Sequence, residues 1–433
     1  MRILKIVPQA FFAPSGTPLS AYHRARELVA RGHDVDILTY AVGSDPPDLK
    51  ARVIRARGPH FARTIKSGPS RLKIWFDVLL FANLLVRVCL RRYDLLYAHE
   101  EGALLARIVG GIFRIPYVYD MHSSLPLQIT EWQFSQSSSV IRLFQWVERV
   151  CVRGAHAVVA ISPAVERAAR TVDPNANCVV LYNHFDTGPG PTAEQCAEIR
   201  SSYGIQAGEK LVVYTGSFVA LQSLELLLKA IPLVTQILPS TKFLLVGGTD
   251  AEIASLRRVA REEKISGSVI FEHRRPQNMM PAYWGAADVL VSPRVRGINP
   301  PGKLLPYLAA ARPVVATDTP VHNQILTHAS AILTAPNAQG IADGIIQGLS
   351  DSARVAEVLQ GAQDLLARCA HALTRERAYD FILSGVRTTH AQARPQTQPT
   401  ATQTGSELTT AAVLSAGAAL AEAPQAELRE LSG

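Results

Sequence analysis

Cysteine is scarce and unclustered in this chain. Its five residues, Cys89, Cys151, Cys178, Cys196 and Cys369, are scattered with no Cys-x-x-Cys pair. That argues against a disulfide framework or a zinc site and suits a reducing compartment. Charge is thin too, at 18% of residues, and the net charge of +8 fits nucleic acid, anionic lipid or a phosphate-bearing ligand equally well. Long uncharged apolar runs are missing. The nearest, Leu72 to Leu90, is interrupted by Lys73, Asp77, Asn83 and Arg87, whereas a spanning helix needs about 20 largely uncharged residues. An amphipathic helix is the expectation there. Met1 to Val7 is apolar for too short a stretch to read as an export signal and reads as a first buried strand.

What the chain does have is hydrophobic residues, 48% of 433, enough for a packed body and too many positions for one ordinary core. Strand and helix signals alternate from the start. Arg2–Val7 is a strand, a helix runs from about Pro18 to Ala30, Gly32 ends it, and Val35–Leu38 begins the next strand. Leu95–Ala98, Tyr117–Tyr119, Ala157–Ile161 and Val179–Leu181 continue the series with helices between. Such repetition predicts parallel strands with crossover helices, hence a Rossmann-like half.

The stretch Asn183–Thr192, with Gly188-Pro189-Gly190-Pro191, breaks both kinds of structure. The alternation then restarts with strands at Leu211–Tyr214, Phe243–Val246, Val269–Phe271, Val289–Ser292 and Val314–Ala316. The expected organisation is α/β, two doubly wound Rossmann-like domains facing a cleft. They are 1–187 and 188–386, the last helix packing back toward the first domain. Residues 387–433 are low in complexity and expected to be a disordered tail.

In open parallel sheets, ligands bind beyond the carboxyl ends of the strands. The first such loop carries Gly16, which would let backbone approach a phosphate or sugar closely. Tyr97-Ala98-His99-Glu100-Glu101 and Tyr119-Asp120-Met121-His122-Ser123 each place a His and carboxylates at that edge. In the second half, Ser292-Pro293-Arg294-Val295-Arg296-Gly297 leads to a helix expected near Pro301, with Lys303 in its first turn. A cation there opposes the helix dipole, and a bound diphosphate would reconcile the two. Asp34-Val35-Asp36 opens a strand at the wrong sheet edge for a ligand and reads as structural. His273-Arg274-Arg275 lies at the ligand edge, where solvated charge is one reading and backbone contact with a nucleobase, implied by the family resemblance given next, is an equally good one.

In order and spacing, these segments resemble family 4 of the retaining glycosyltransferases over roughly residues 2–385. Further pieces are Arg31-Gly32-His33-Asp34-Val35, Tyr214-Thr215-Gly216-Ser217-Phe218 and Arg312-Pro313-Val314-Val315-Ala316-Thr317-Asp318. The resemblance implies a GT-B fold and transfer with retention, without a metal or other cofactor, from a donor held by the C-terminal half. It maps the active-site His to His122, the first-loop position to Gly16 and the diphosphate helix start to Gly302 and Lys303. Two departures stand out. Ile298 and Pro306 occupy the positions of a Glu pair common in the family, and Ser217 and Gln222 those of a common Arg and Lys.

The expected donor-side set is therefore Gly16, Ser217, Gln222, Arg294, Arg296, Gly297, Gly302 and Lys303. His99, Glu100 and Trp132 are acceptor-side candidates. Expected partners are a nucleotide-sugar donor and a lipid-linked or saccharide acceptor, with no nucleic acid. The protein should be cytoplasmic; the apolar stripe of the basic segment 70–92 is expected first to pack against the sheet, with peripheral contact with the inner membrane surface as the second reading. A non-catalytic GT-B protein that binds a nucleotide, sugar or partner enzyme is the alternative, favoured by the missing Glu pair. A GT-B nucleotide-sugar epimerase is a third.

Overall fold

The structure is a computed structural model, and it describes residues 1–12, 16–46, 48–56, 71–131, 137–183, 190–297, 299–370 and 372–386. Trp132, Ile298, most of the Gly/Pro stretch and the expected tail lie outside the described residues.

The first half contains seven strands: β1 Arg2–Val7, β2 Asp34–Thr39, β3 Arg52–Arg55, β4 Leu95–His99, β5 Tyr117–Met121, β6 Ala157–Ala160 and β7 Cys178–Val180. They pair in the order β3-β2-β1-β4-β5-β6-β7, every pair parallel. The helices are α1 Gly16–Ala30, α2 Arg71–Leu90, α3 Gly102–Phe113, α4 Leu125–Glu131, α5 Ser138–Gly154 and α6 Pro163–Val172. α2, α3, α5 and α6 cover one face of the sheet and α1 the other.

The second half repeats the plan with β8 Lys210–Thr215, β9 Thr241–Gly248, β10 Val269–His273, β11 Val289–Ser292, β12 Val314–Thr317 and β13 Ile332–Thr334. Their order is β10-β9-β8-β11-β12-β13, again all parallel. Its helices are α7 Ala193–Ser202, α8 Leu224–Ile237, α9 Asp250–Glu262, α10 Met280–Ala286, α11 Leu304–Ala309, α12 Ala338–Ser350, α13 Ser352–Ala370 and α14 Ala372–Leu383. Local chemistry marks several starts. Thr192 with Gln195 and Thr249 with Glu252 form capping boxes, and Ser162 caps α6 ahead of Pro163. α14 packs on β6 and β7, burying Tyr379 and Ile382 in the core of the first half.

Both sheets reverse winding direction beside their first strand, between β1 and β4 and between β8 and β11. Crevices at such switch points, outside the carboxyl ends, are where open α/β sheets take ligands.

One helix differs from the sequence expectation. α11 begins at Leu304 rather than near Pro301, so Lys303 sits at the cap, and the helix is only six residues long. Pro306 is its third residue, where an amide has no partner within the helix. The first helical bond runs from Tyr307 N to Lys303 O, at 2.8 Å. The proline therefore costs the helix no hydrogen bond, and its ring is buried.

Candidate active site

At the carboxyl edge of the first sheet, charged side chains converge in a place that the core strands would otherwise keep apolar. Lys5, on β1, is fully buried, and its Nζ lies 3.6 Å from Asp120 Oδ2 at the end of β5. The ammonium also stands 3.9 Å from the centre of the Tyr97 ring. His99, closing β4, donates from Nδ1 to the same Asp120 oxygen across 3.2 Å. His122 Nε2 lies 3.4 Å from Asp120 Oδ1. The two imidazoles meet edge to face, centroids 4.2 Å apart. Buried Arg24, from α1, reaches the Leu181 carbonyl and sits beside Tyr379 of α14.

Burial alone would raise the Asp120 carboxyl, but His122, His99 and Lys5 hold it well below the usual range. Burial pushes Lys5 down to about 8 and His99 down to about 3, and it lowers His122 as well. At neutral pH the two imidazoles are uncharged. His122 is thus a neutral hydrogen-bonding group held at the sheet edge, suited to orienting a hydroxyl. His99, Asp120 and His122 bring potential ligand atoms within 4.8 Å of one another. Lys5 already supplies cationic charge at that carboxylate, which disfavours a metal ion there.

The second sheet's edge has the opposite composition. Gly216 follows β8 at φ +141°, and a Cβ there would come within 3.4 Å of Lys303 Nζ. Lys303 Nζ lies 3.5 Å from the Tyr214 ring centre and donates to Gln222 Oε1 at 3.5 Å. No described carboxylate is ion-paired with it. Desolvation and the nearby Arg294 guanidinium push the Lys303 ammonium well below its ordinary range. Arg294 is buried, and its Nε donates to the Arg296 carbonyl at 2.6 Å. Gly297, at φ +116°, leaves room for that guanidinium, which a Cβ would meet at 1.8 Å. Behind them His322 donates from Nδ1 to Thr317 O at 2.9 Å and accepts from Ser292 Oγ at 2.9 Å. Burial holds His322 at about 4 despite the Thr317 bond, with Lys303 and Arg294 adding to the effect.

The structure thus brings Lys303, Arg294, Gly297 and Gln222 together at one switch point. Ser217 is adjacent, but its visible role is a carbonyl that accepts from Tyr214 Oη at 2.9 Å. The Arg296 side chain is exposed, so that residue enters through its backbone. Gly302 is in the turn before α11 and Gly16 opens α1. His99 has no surface to offer an acceptor, because it is packed behind His122; Glu100 beside it is also buried. Asp34 and Asp36 are taken up by Arg91, and Tyr93 Oη donates to Asp36 Oδ2 at 2.6 Å. His273 pairs with Asp250 at 2.9 Å and Arg275 with Glu272 at 3.1 Å, both on the surface.

Sequence reading missed Lys5, Arg24 and His322 as site residues, and it placed the Asp120 carboxylate at the ligand edge without giving it a role. A lysine in the middle of an otherwise apolar strand was the available signal for the first. The others needed the fold to bring them together.

Comparison with known proteins agrees with this architecture. Residues 15–184 match the glycosyl transferase 4-like domain and residues 209–351 match the glycosyl transferases group 1 domain. An uncharacterized glycosyltransferase, MJ1607 of Methanocaldococcus jannaschii, is 24% identical over 76% of this chain and 83% of its own length. The GDP-mannose-dependent alpha-(1-6)-phosphatidylinositol monomannoside mannosyltransferase of Mycolicibacterium smegmatis is 30% identical over 35% of this chain and 41% of its own. Among solved structures, Anabaena Alr3699/HepE in complex with UDP-glucose superposes with a TM-score of 0.69 at 20% identity, covering 89% of this chain and 99% of that one. With both halves matched and both sheets wound alike, the chain belongs to the GT4-like glycosyltransferases of GT-B fold.

Proposed function

We propose that this glycosyltransferase moves a sugar from a nucleotide-sugar to a lipid-linked or saccharide acceptor with retention at the anomeric carbon, needing no metal. One observation carries the reading: Lys303 is a desolvated ammonium beside a second cation, with no described carboxylate to balance it. A diphosphate would restore that balance by charge-assisted hydrogen bonds. As the glycosidic bond to the donor breaks, negative charge grows on the departing diphosphate, and Lys303 and Arg294 would stabilise it where it develops. His122, neutral and fixed against His99, would orient a hydroxyl of the donor sugar so that the anomeric carbon meets the acceptor oxygen. The carboxylates missing at 298 and 306 leave ribose recognition to other groups, so affinity rests more heavily on the diphosphate.

The test is calorimetric titration with UDP- and GDP-sugars, repeated on Lys303→Ala and Arg294→Ala, then product analysis by NMR. Binding that both variants lose, followed by product of unchanged anomeric configuration, supports the proposal. An inverted product refutes retention, and no heat with any nucleotide refutes the donor site. A requirement for added divalent metal would refute the metal-free reading.

A further inference from the structure

Away from both clusters, one face of the first half has a character that donor binding does not explain. α2 buries Phe76, Leu80, Leu84 and Val88 at every fourth position. Its outer side leaves Trp75 67% and Leu90 74% exposed, with Val78 and Val86 between them. α3 packs beside α2 and α5 beside α3, extending the surface with Ile112 and Trp146. Of the fourteen large apolar side chains that the described residues leave exposed, ten stand on these three helices. Scattered exposed apolar residues are ordinary; a concentration of this kind marks a contact surface.

Charge on the same helices is sorted by direction. Their carboxylates turn inward: Asp77 accepts from Tyr40 Oη at 2.5 Å, and Glu148 accepts from Ser124 Oγ and Leu125 N at 3.0 and 2.6 Å. α3 contributes none. Arg107, Arg149 and Arg153 line a surface pocket of about 300 Å³ with Trp146, Val150 and Gly154. None of the three is ion-paired with a described carboxylate. Gly154 is needed there, since a Cβ would fall 2.4 Å from Arg107 Nε, a buried donor that has no partner. Three guanidiniums sharing one pocket without an acid repel one another unless an anion joins them. Among the described residues no helix is long and apolar enough to cross a membrane, so any bilayer contact through them is peripheral.

We propose that the α2–α3–α5 face docks on an anionic bilayer, a lipid phosphate occupying the pocket of Arg107, Arg149 and Arg153 while Trp75 and its apolar neighbours enter the headgroup region. Arginine suits phosphate by its planar fork, and an exposed tryptophan suits the boundary between headgroups and acyl chains. This inference does not depend on the donor-site reading.

The experiment is sedimentation of the full chain with phosphatidylcholine vesicles, with and without phosphatidylglycerol. Three basic contacts predict a preference for the anionic vesicles on the order of 100-fold, falling as salt rises. Arg149→Glu with Arg153→Glu should remove that preference. Both side chains are exposed, so thermal melts should show that this variant folds. Trp75→Ser should weaken binding to vesicles of either kind. Equal binding to neutral and anionic vesicles, or full binding by the double Glu variant, overturns the proposal. So does saturable binding of inorganic phosphate with no vesicle association, which would mark the pocket as a site for a free anion.

Discussion

Replacing Lys303 with methionine should move stability and ligand affinity in different directions. In the free protein the ammonium is poorly solvated and lies near Arg294. What favours it is the Tyr214 ring at 3.5 Å and a long hydrogen bond to Gln222. A cation–π contact of this kind is worth roughly 0.5–2 kcal/mol, whereas withdrawing an ion from water costs up to several kcal/mol. Methionine keeps the bulk, loses the first term and is relieved of the second. Net stability should therefore hold or rise by about 0.5–2 kcal/mol, read as a melting temperature that is unchanged or a few degrees higher. Nucleotide-sugar binding should move the other way. Losing a charged hydrogen bond costs about 1.5–3 kcal/mol, so Kd should rise roughly 10- to 150-fold in calorimetry. A variant that melts earlier and still binds nucleotide at wild-type affinity would show Lys303 to be a structural cation, and the donor-site reasoning would fail.

Three further outcomes follow from the same geometry. His122→Ala should cut turnover roughly 100-fold while nucleotide affinity stays within a few-fold, checked by product formation beside titration, because His122 is assigned to orientation. Gly297→Ala should cost about 1–3 kcal/mol in thermal or denaturant unfolding, since φ is +116° there. It should also weaken nucleotide binding, because the new methyl displaces the Arg294 guanidinium. Acidification should destabilise the fold early. His99 and His322 have folded pKa values lowered to about 3 and about 4, so their contribution is intact above pH 6.5 and is lost as pH falls toward those values. At pH 5 the loss is on the order of 2 kcal/mol each, and a melting temperature constant from pH 7 to 5 would contradict their burial as neutral rings.

The alternation of apolar strands with helices was enough to read two parallel α/β sheets, because strands buried on both faces are nearly continuous apolar runs. The edges were harder. β3 is Arg-Val-Ile-Arg and β13 has three residues, so neither offers an apolar run long enough to read. α11 begins later than expected because its start follows the turn at Pro301–Lys303 rather than the proline itself. Within the site, Arg294, Gly297 and Lys303 stand in one short segment whose composition betrays it. The other cluster joins the His99 and Asp120–His122 strand ends, already legible at one edge, to residues 5, 24 and 379, an addition that no local spacing encodes. Burial also changed what His99 can be, since a histidine at a strand end reads the same whether it faces solvent or packs behind another ring.

The contrast between the two sheet edges bears on how labour is divided. Around Asp120, cations and carboxylate are buried together, and each holds the others in their charged or neutral form. Breaking such a set by removing one member typically costs 3–5 kcal/mol, so Asp120 and Lys5 form a fixed mount for His122. Around Lys303 no described carboxylate pairs with the ammonium, and the free protein bears its desolvation and the nearness of Arg294. Rigid support is what an orienting group requires; an uncompensated charge is what a site requires if its anion arrives with each turnover and then leaves. Had Lys303 been balanced by a glutamate, departing diphosphate would have had to displace it, and stabilisation of the transition state would have been correspondingly smaller.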